Sequence, residues 1–474
     1  MRTILLRLFA LIGLAGLAAV GCGTGTAASG GKTVQVTVGY QSKTISTVNA
    51  GTLLRALGLF EQRLAEIGRR TGTRYQVTWQ DYEAGAPITT QMLAGKVDIG
   101  SMGDYPLLVN GSKTREFADA RTELVAITGY NLRGALNMVL VPPSSPARRL
   151  GDLAGKKIST SFSSTAHGML VRALAQAGLA PGSVQLVHHP PSVGASALQS
   201  GGVDALSQFA AWPGLLVHRG QARVLYDGAD VNQPSLLGIV VRKAYTQEHP
   251  EVTEAFLAAV IDATRYLHEH PLQAAQTVAQ ATGLPPEVVY LYNGPNGLVT
   301  FDPTIKPVLR EALERDIPFL KSLGALQDLD LDQFVNDSYL RKAYGAAYDT
   351  EARSTVNPGR ITGTDPLSHR PVDDPATASE AWFDGEGATV PAANPTWLLR
   401  LLKASGGKKL RAAYVPDAAT GTRWFADKAV WVDDPAAGPD AHLLPFTTLA
   451  GAQRYIDAHP GARVVDYATA LKAA

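Results

Sequence analysis

Val34-Gln35-Val36-Thr37-Val38-Gly39-Tyr40 alternates valine with polar residues and ends on a glycine and an aromatic residue. This is the period of a β-strand with one buried face. The residues after it change period: Leu53, Leu54, Leu57, Phe60, Leu64 and Ile67 recur at helical spacing. Tyr75 to Trp79 returns to strand, and Ile88 to Leu93 reads as a short helix. Val97 to Gly100, Leu124 to Gly129 and Leu136 to Val141 are further predicted strands. A second cycle runs through Lys157 to Ser161, a helix over His167 to Ala177, and Val184 to His188. Strands alternating with helices predict an α/β architecture with largely parallel sheets.

Downstream the pattern turns helical. Glu251 to Tyr344 reads as almost wholly helix, with Pro250, Pro271, Pro285 and Pro303 where helices should begin. Residues 346–380, rich in Pro, Asp, Thr and Gly, read as a linker. Residues 381–474 regain periodicity and carry four of the six tryptophans, Trp382, Trp397, Trp424 and Trp431. They predict a separate small α+β domain that folds on its own.

The N-terminus reads as an export signal. Arg2 and Arg7 precede an apolar run from Leu8 to Val20, and small residues lead into Cys22, the one cysteine in 474 residues. The run is short for a bilayer crossing. Cys22 resembles the lipobox cysteine of bacterial lipoproteins, although Ala19 stands where that family usually has leucine. The resemblance implies lipidation at Cys22 and a membrane tether, with residues 1–22 as the signal and 23–33 as a flexible Gly/Thr/Ala/Ser spacer.

Composition narrows the function. Forty-three basic residues against 42 acidic ones leave a formal charge of +1, so no global field favours nucleic acid. One cysteine gives no disulfide, so an exported chain must rely on its core. No second long apolar segment occurs, which argues against a transporter or channel.

Several motifs follow one another in a telling order: Gly39-Tyr40-Gln41, Tyr82 to Pro87, Val97-Asp98-Ile99-Gly100, and Gly103-Asp104-Tyr105-Pro106. Ser164 to His167, Gln199 to Ala205, and Ala211-Trp212-Pro213-Gly214 continue it. Together they resemble the solute-binding proteins of ABC importers for aliphatic sulfonates, taurine and nitrate. The resemblance implies a two-lobed periplasmic-binding-protein-like fold (type II) over 34–345. Lobe 1 would comprise about 34–133 and 239–345, and lobe 2 about 134–238. Crossovers are expected near Arg133 to Asn137 and Asn232 to Gly238. The implied partners are a small anionic or zwitterionic ligand and the importer's permease subunits, with no cofactor and no catalysis.

The residues themselves support a cleft. Small and hydroxyl residues stand where strands hand over to helices, and helix N-termini bind anions through unpaired N–H groups. The expected ligand-binding residues are Tyr40, Gln41, Ser46, Gly85, Asp104, Tyr105, Asn131, Ser164, Thr165, His167 and Trp212. Three of them carry alternatives. Asp104 either meets a ligand amine or caps the following helix; His167 either donates to an oxyanion or faces solvent; Trp212 either stacks on a ligand or packs inside its lobe.

Tyr414 to Asp417, Thr420-Gly421, Trp424-Phe425, Pro445-Phe446 and Val464 to Asp466 resemble the NosL family of copper-handling lipoproteins. The segment has neither Cys nor Met, the soft ligands that Cu(I) prefers, and His369, His442 and His459 show no metal-type spacing. A scaffold without metal is therefore expected. The alternative function is a metal-handling or sensory lipoprotein acting through this domain. Among enzymes, the thiamin-pyrimidine synthases share the fold but resemble it with a cysteine-rich motif that this chain lacks.

Overall fold

The computed structural model describes residues 32–474; Cys22, the export segment and nearly all of the spacer lie outside the described residues. The chain builds one sheet, crosses to a second, and returns. The outward path is β1 (Thr33–Tyr40), β2 (Arg74–Asp81), β3 (Ile99–Gly103) and β4 (Thr122–Asn131). The second lobe holds β5 (Asn137–Val141), β6 (Lys157–Thr160), β7 (Gln185–His188), β8 (Ala205–Phe209) and β9 (Arg223–Asp227). The return strand is β10 (Ser235–Arg242). Strand order is β2-β1-β3-β10-β4 in the first sheet and β7-β6-β8-β5-β9 in the second.

The alternation at Val34, Val36 and Val38 places all three in the core of the first lobe. Each sheet is half parallel rather than largely so. β1 pairs in parallel with β2 and β3, and β6 with β7 and β8, as βαβ connections require. β10 and β5, the strands that follow the crossovers, run antiparallel to both neighbours. The crossovers are 132–136 and 228–234. The second is earlier than the sequence suggested, because Ser235 already pairs with Asn131 and Leu236 with Tyr130.

Two other expectations shift. The helix expected across Leu53 to Ile67 is two helices, Thr52–Ala56 and Leu59–Thr71, because Gly58 adopts φ 64° between them. Pro303 opens no helix. Thr300 bonds to Tyr130 in both directions, and the Pro303 carbonyl accepts from Ile127, so the segment runs along β4 as an extended edge. The helix starts at Pro307, after Lys306, which is fully buried and paired with Asp302 at 2.6 Å.

The C-terminal part has two small sheets, 390–392 with 379–383, 410–416 and 423–425, and 443–446 with 430–433 and 463–465. Three helices, Pro395–Ala404, Leu449–Ala458 and Tyr467–Ala473, complete an α+β unit. It does not stand apart. Trp382, Tyr414, Trp424 and Phe425 share one apolar cluster with Tyr290, Leu291 and Tyr292 of the first lobe. At that seam Arg423 pairs with Glu380 at 2.5 Å, side chains 4% and 2% exposed, and the Tyr290 hydroxyl donates to Glu380. The same unit reaches the second lobe, where the Thr422 hydroxyl donates to Asp227 at 2.6 Å and Arg454 pairs with Asp230. Residues 346–380 are likewise tied down: Ile361, Val372 and Ala378 are buried, and Asp365 accepts from Leu367, Ser368 and Ala393. These contacts tie the segment and the C-terminal unit to the lobes, while the unit also keeps a core of its own around Leu398, Val415, Trp431 and Leu443. No helix among the described residues is long and apolar enough to cross a membrane.

Candidate functional site

A narrow cleft lies between the two sheets, with walls from both lobes and from residues flanking the crossovers. Three helices begin at it. Gly85–Leu93 and Asp104–Thr114 come from the first lobe, and Thr165–Gln176 from the second. Ala84, Gly85, Gly103, Ser164 and Thr165, the residues at those starts, all line the cleft. First-turn N–H groups have no carbonyl four residues earlier to bond, and the aligned peptides add partial positive charge there. No side chain caps the helix at Gly85, which leaves its first N–H groups facing the cavity. Glycine is required at that start, since a Cβ would lie 2.7 Å from Cβ of Pro106.

Hydroxyl and amide groups fill in between the helix ends. Gln41 donates to the Ser101 carbonyl, and Thr44 donates to the Gln41 amide oxygen. Ser164 accepts from the His167 N–H, so its own proton is free to donate. Asn137 donates to Ser235, while its buried side-chain oxygen has no protein partner. Leu136, Phe209, Ala210 and Leu237 complete the wall with apolar surface. Among the described residues no ionisable side chain lines this inner cleft, but Asn137, Thr165 and Ser235 also line an adjoining space that holds Asp104, Arg172 and Asp316. The inner cleft recognises charge by dipoles and hydroxyls, which suits a single negative charge spread over several oxygens.

Of the residues expected at the site, the structure brings together Gln41, Ser46, Gly85, Ser164 and Thr165. The others serve nearby tasks. Tyr40 points into the first lobe, edge-on to Trp79 and hydrogen-bonded to Arg55. Asp104 is buried and accepts from Thr165 at 2.6 Å, from the Tyr105 N–H and from the Leu236 N–H. It therefore joins the lobes, with burial raising its pKa against the pull of those donors. Tyr105 packs on Gly168 and accepts from Arg172, which pairs with Asp316 at 2.8 Å. Asn131 caps the first crossover, accepting from three successive N–H groups, Arg133 to Ala135. His167 stacks on Phe162, and burial together with His188 lowers its pKa. Trp212 is core, packed among Leu215, Ile45 and Tyr292.

Thr44, Leu136, Asn137, Phe209, Ala210, Ser235 and Leu237 line the cleft without having been named as ligand-binding residues, as do Gly103 and Pro106, which the sequence marked only as part of a motif. Asn137, Ser235 and Leu237 flank the crossovers, and locating those to the residue would have found them. Phe209 and Ala210 end β8 without any signature. The three histidines considered for copper lie apart. His442 pairs with Asp433, His459 stacks on Tyr455, and His369 is exposed.

Two α/β lobes with helix starts converging on one interlobe cleft define a solute-binding class. Residues 76–274 match the NMT1/THI5-like family. The taurine-binding periplasmic protein of Escherichia coli (strain K12) is 30% identical over 281 residues, covering 56% of this chain and 84% of the relative. A second protein of that strain, named for aliphatic-sulfonate binding, is 28% identical over 308 residues, covering 64% and 85%. The alkanesulfonate-binding protein SsuA from Xanthomonas axonopodis pv. citri, solved bound to MOPS, superposes with a TM-score of 0.54 at 25% identity. That match covers 64% of this chain and 98% of that one. The chain belongs to the binding-protein family of these relatives, the NMT1/THI5-like family. Each of these two matches leaves about a third of this chain uncovered.

Proposed function

We propose that the chain is the extracytoplasmic receptor of an ABC importer, closing on a small organosulfonate or related oxyanion and handing it to permease subunits. The observation that carries this reading is the meeting of helix starts from both lobes on one cleft, at Gly85, where no side chain caps the helix, and at Ser164–Thr165, among amide and hydroxyl groups. A sulfonate stays anionic at every physiological pH and offers three oxygens to donors arriving from three directions. A dianion would meet no lysine or arginine among the described residues of the inner cleft to balance its second charge, and Arg172 in the adjoining space is already paired with Asp316. The inner lining carries amide, hydroxyl and backbone groups, and the carboxyl beside it, Asp104, is taken up by Thr165, Tyr105 and Leu236, which favours capture over transformation. The relatives named for periplasmic and sulfonate binding support the compartment and the ligand class. Lipidation at Cys22 would keep the receptor beside its permease, and Cys22→Ser should then shift the protein from the membrane fraction to the soluble one.

Titration calorimetry with methanesulfonate, taurine, nitrate and sulfate tests the reading. The sulfonates should bind and sulfate should not. Ser164→Ala and Ser46→Ala should each weaken sulfonate binding, the loss of one charge-assisted hydrogen bond costing about 1.5–3 kcal/mol, or one to two decades in Kd. Unchanged affinity in both variants would place the anion site elsewhere.

A further inference from the structure

Beyond the inner cleft lies a wider, open outer chamber between the lobes, continuous with it through Ala84, Gly85, Pro106 and Ser164, which line both. The walls change character there. Phe162 and Val193 of the second lobe face the chamber with 42% and 47% of their surfaces exposed, opposite Tyr82 and Pro87 of the first lobe. Phe162 is held in this exposed position. Its N–H donates to Nδ1 of His188 at 3.0 Å. Its ring stacks on His167, with centroids 5.0 Å apart and planes 26° apart, and leans on His188 at 5.1 Å. The next residue, Ser163, adopts φ 62°, a left-handed conformation that residues other than glycine seldom take. A chain that supports an exposed phenyl ring on two imidazoles beside its binding cleft keeps an apolar face for something other than its own core. At the rim, the Glu83 carboxylate accepts from the Ser192 hydroxyl at 2.9 and 3.0 Å, joining the lobes across the chamber mouth.

A ligand with its anionic head in the inner cleft must send its carbon skeleton outward past Gly85 and Ser164, and the first surface it meets is this apolar wall. Resting on the sulfonate-receptor reading above, we propose that the ligand is an arenesulfonate, its ring clasped between Phe162 on one lobe and the Tyr82–Pro87 wall on the other. Phe162 is then the residue that sets specificity, through offset or edge-to-face ring contact. Asp81 and Glu83 at the chamber add negative charge, which excludes ligands with a second anionic group on the ring.

The test is calorimetry of the full chain with methanesulfonate, taurine, hexanesulfonate, naphthalene-2-sulfonate and naphthalene-2,6-disulfonate. Naphthalene-2-sulfonate should bind at least tenfold more tightly than methanesulfonate or taurine, and more tightly than hexanesulfonate, with the disulfonate rejected. Phe162→Ala should weaken naphthalene-2-sulfonate about tenfold, as loss of one ring–ring contact does, and leave methanesulfonate within twofold. Phe162→Leu should fall between. If methanesulfonate binds but the arene gains nothing, or if Phe162→Ala weakens both alike, the inference fails and the sulfonate reading stands. If no sulfonate binds, both fail. Should Phe162→Ala not fold, the ligand series on the unaltered protein decides alone.

Discussion

Gly168 of the second lobe lies against the ring of Tyr105 in the first so closely that a Cβ there would come within 1.5 Å of Cε2. The ring has no freedom to yield, since Tyr105 is buried and its hydroxyl is held by Arg172, itself paired with Asp316. The hydrogen bond from Thr165 to Asp104 sits one helical turn away on the same seam. The lobes are therefore closed on each other, with the helices Asp104–Thr114 and Thr165–Gln176 in direct contact.

Gly168→Ala should act as a wedge. Alanine for glycine inside a helix ordinarily favours folding by about 0.5–1 kcal/mol, so the second lobe itself should not suffer. Closure should, because the methyl group occupies the space of the Tyr105 ring. Since ligand binding in two-lobed proteins depends on hinge closure, affinity for methanesulfonate should drop at least tenfold, about 1.4 kcal/mol, while the thermal midpoint changes little. Calorimetry and a melting curve on the same preparation check this. Undiminished affinity would mean that the seam opens without consequence for the site.

Much of the cleft was legible because its chemistry is local. A strand that ends on small or hydroxyl residues and passes into a helix marks a helix start, and Gln41, Ser46, Gly85, Ser164 and Thr165 were found that way. Orientation was not legible. Tyr40 and Trp212 sit beside the same turns, but which side of the strand or helix they occupy depends on partners far along the chain, Arg55 and Trp79 for one and Tyr292 for the other. Asp104 looked like a cap or a ligand contact. Its strongest partner is Thr165, 61 residues away on the other lobe, which no local pattern encodes. The seam of the C-terminal unit with the lobes was not legible for the same reason. Its tryptophans suffice for a small core of their own, and nothing in the spacing says that Tyr290 enters it.

Proteolysis distinguishes a shared core from an independent domain. Arg353, Arg360 and Arg370 are exposed, so trypsin should nick the segment between the lobes and the C-terminal unit. The fragments should nevertheless stay together. Trp382 and Tyr414 each lie 5.4 Å from the Tyr290 ring, and burying such side chains stabilises by about 1.5–3 kcal/mol apiece. Separation would also expose the Arg423–Glu380 pair and break the contact of Arg423 with the Pro295 carbonyl. A denaturing gel should show two bands and size exclusion one peak at the intact mass. Two peaks would restore the picture of a freely hinged module.

Asp227 makes the joint between the second lobe and the C-terminal unit sensitive to pH. The carboxyl is buried at the end of β9, and burial pushes its pKa up to about 7, with nearby Asp417 and Asp230 adding to the rise. The Thr422 hydroxyl and the Ala229 N–H, which donate to it, oppose that rise, and Arg454 occupies Asp230 on the outer side. A carboxyl whose pKa is higher folded than unfolded holds its proton more tightly in the native state. Its favourable contribution is complete below about pH 4 and disappears as pH climbs to 7. The difference from an ordinary aspartate corresponds to ~4 kcal/mol lost across that window. Asp227→Asn keeps the shape, still accepts from Ala229, and has no proton to lose. Urea unfolding between pH 4 and 8 should therefore show the unaltered protein falling relative to Asp227→Asn as pH rises, with most of the change between pH 5 and 7. Parallel profiles for the two proteins would mean that Asp227 titrates as an ordinary carboxylate and that this joint carries no pH dependence.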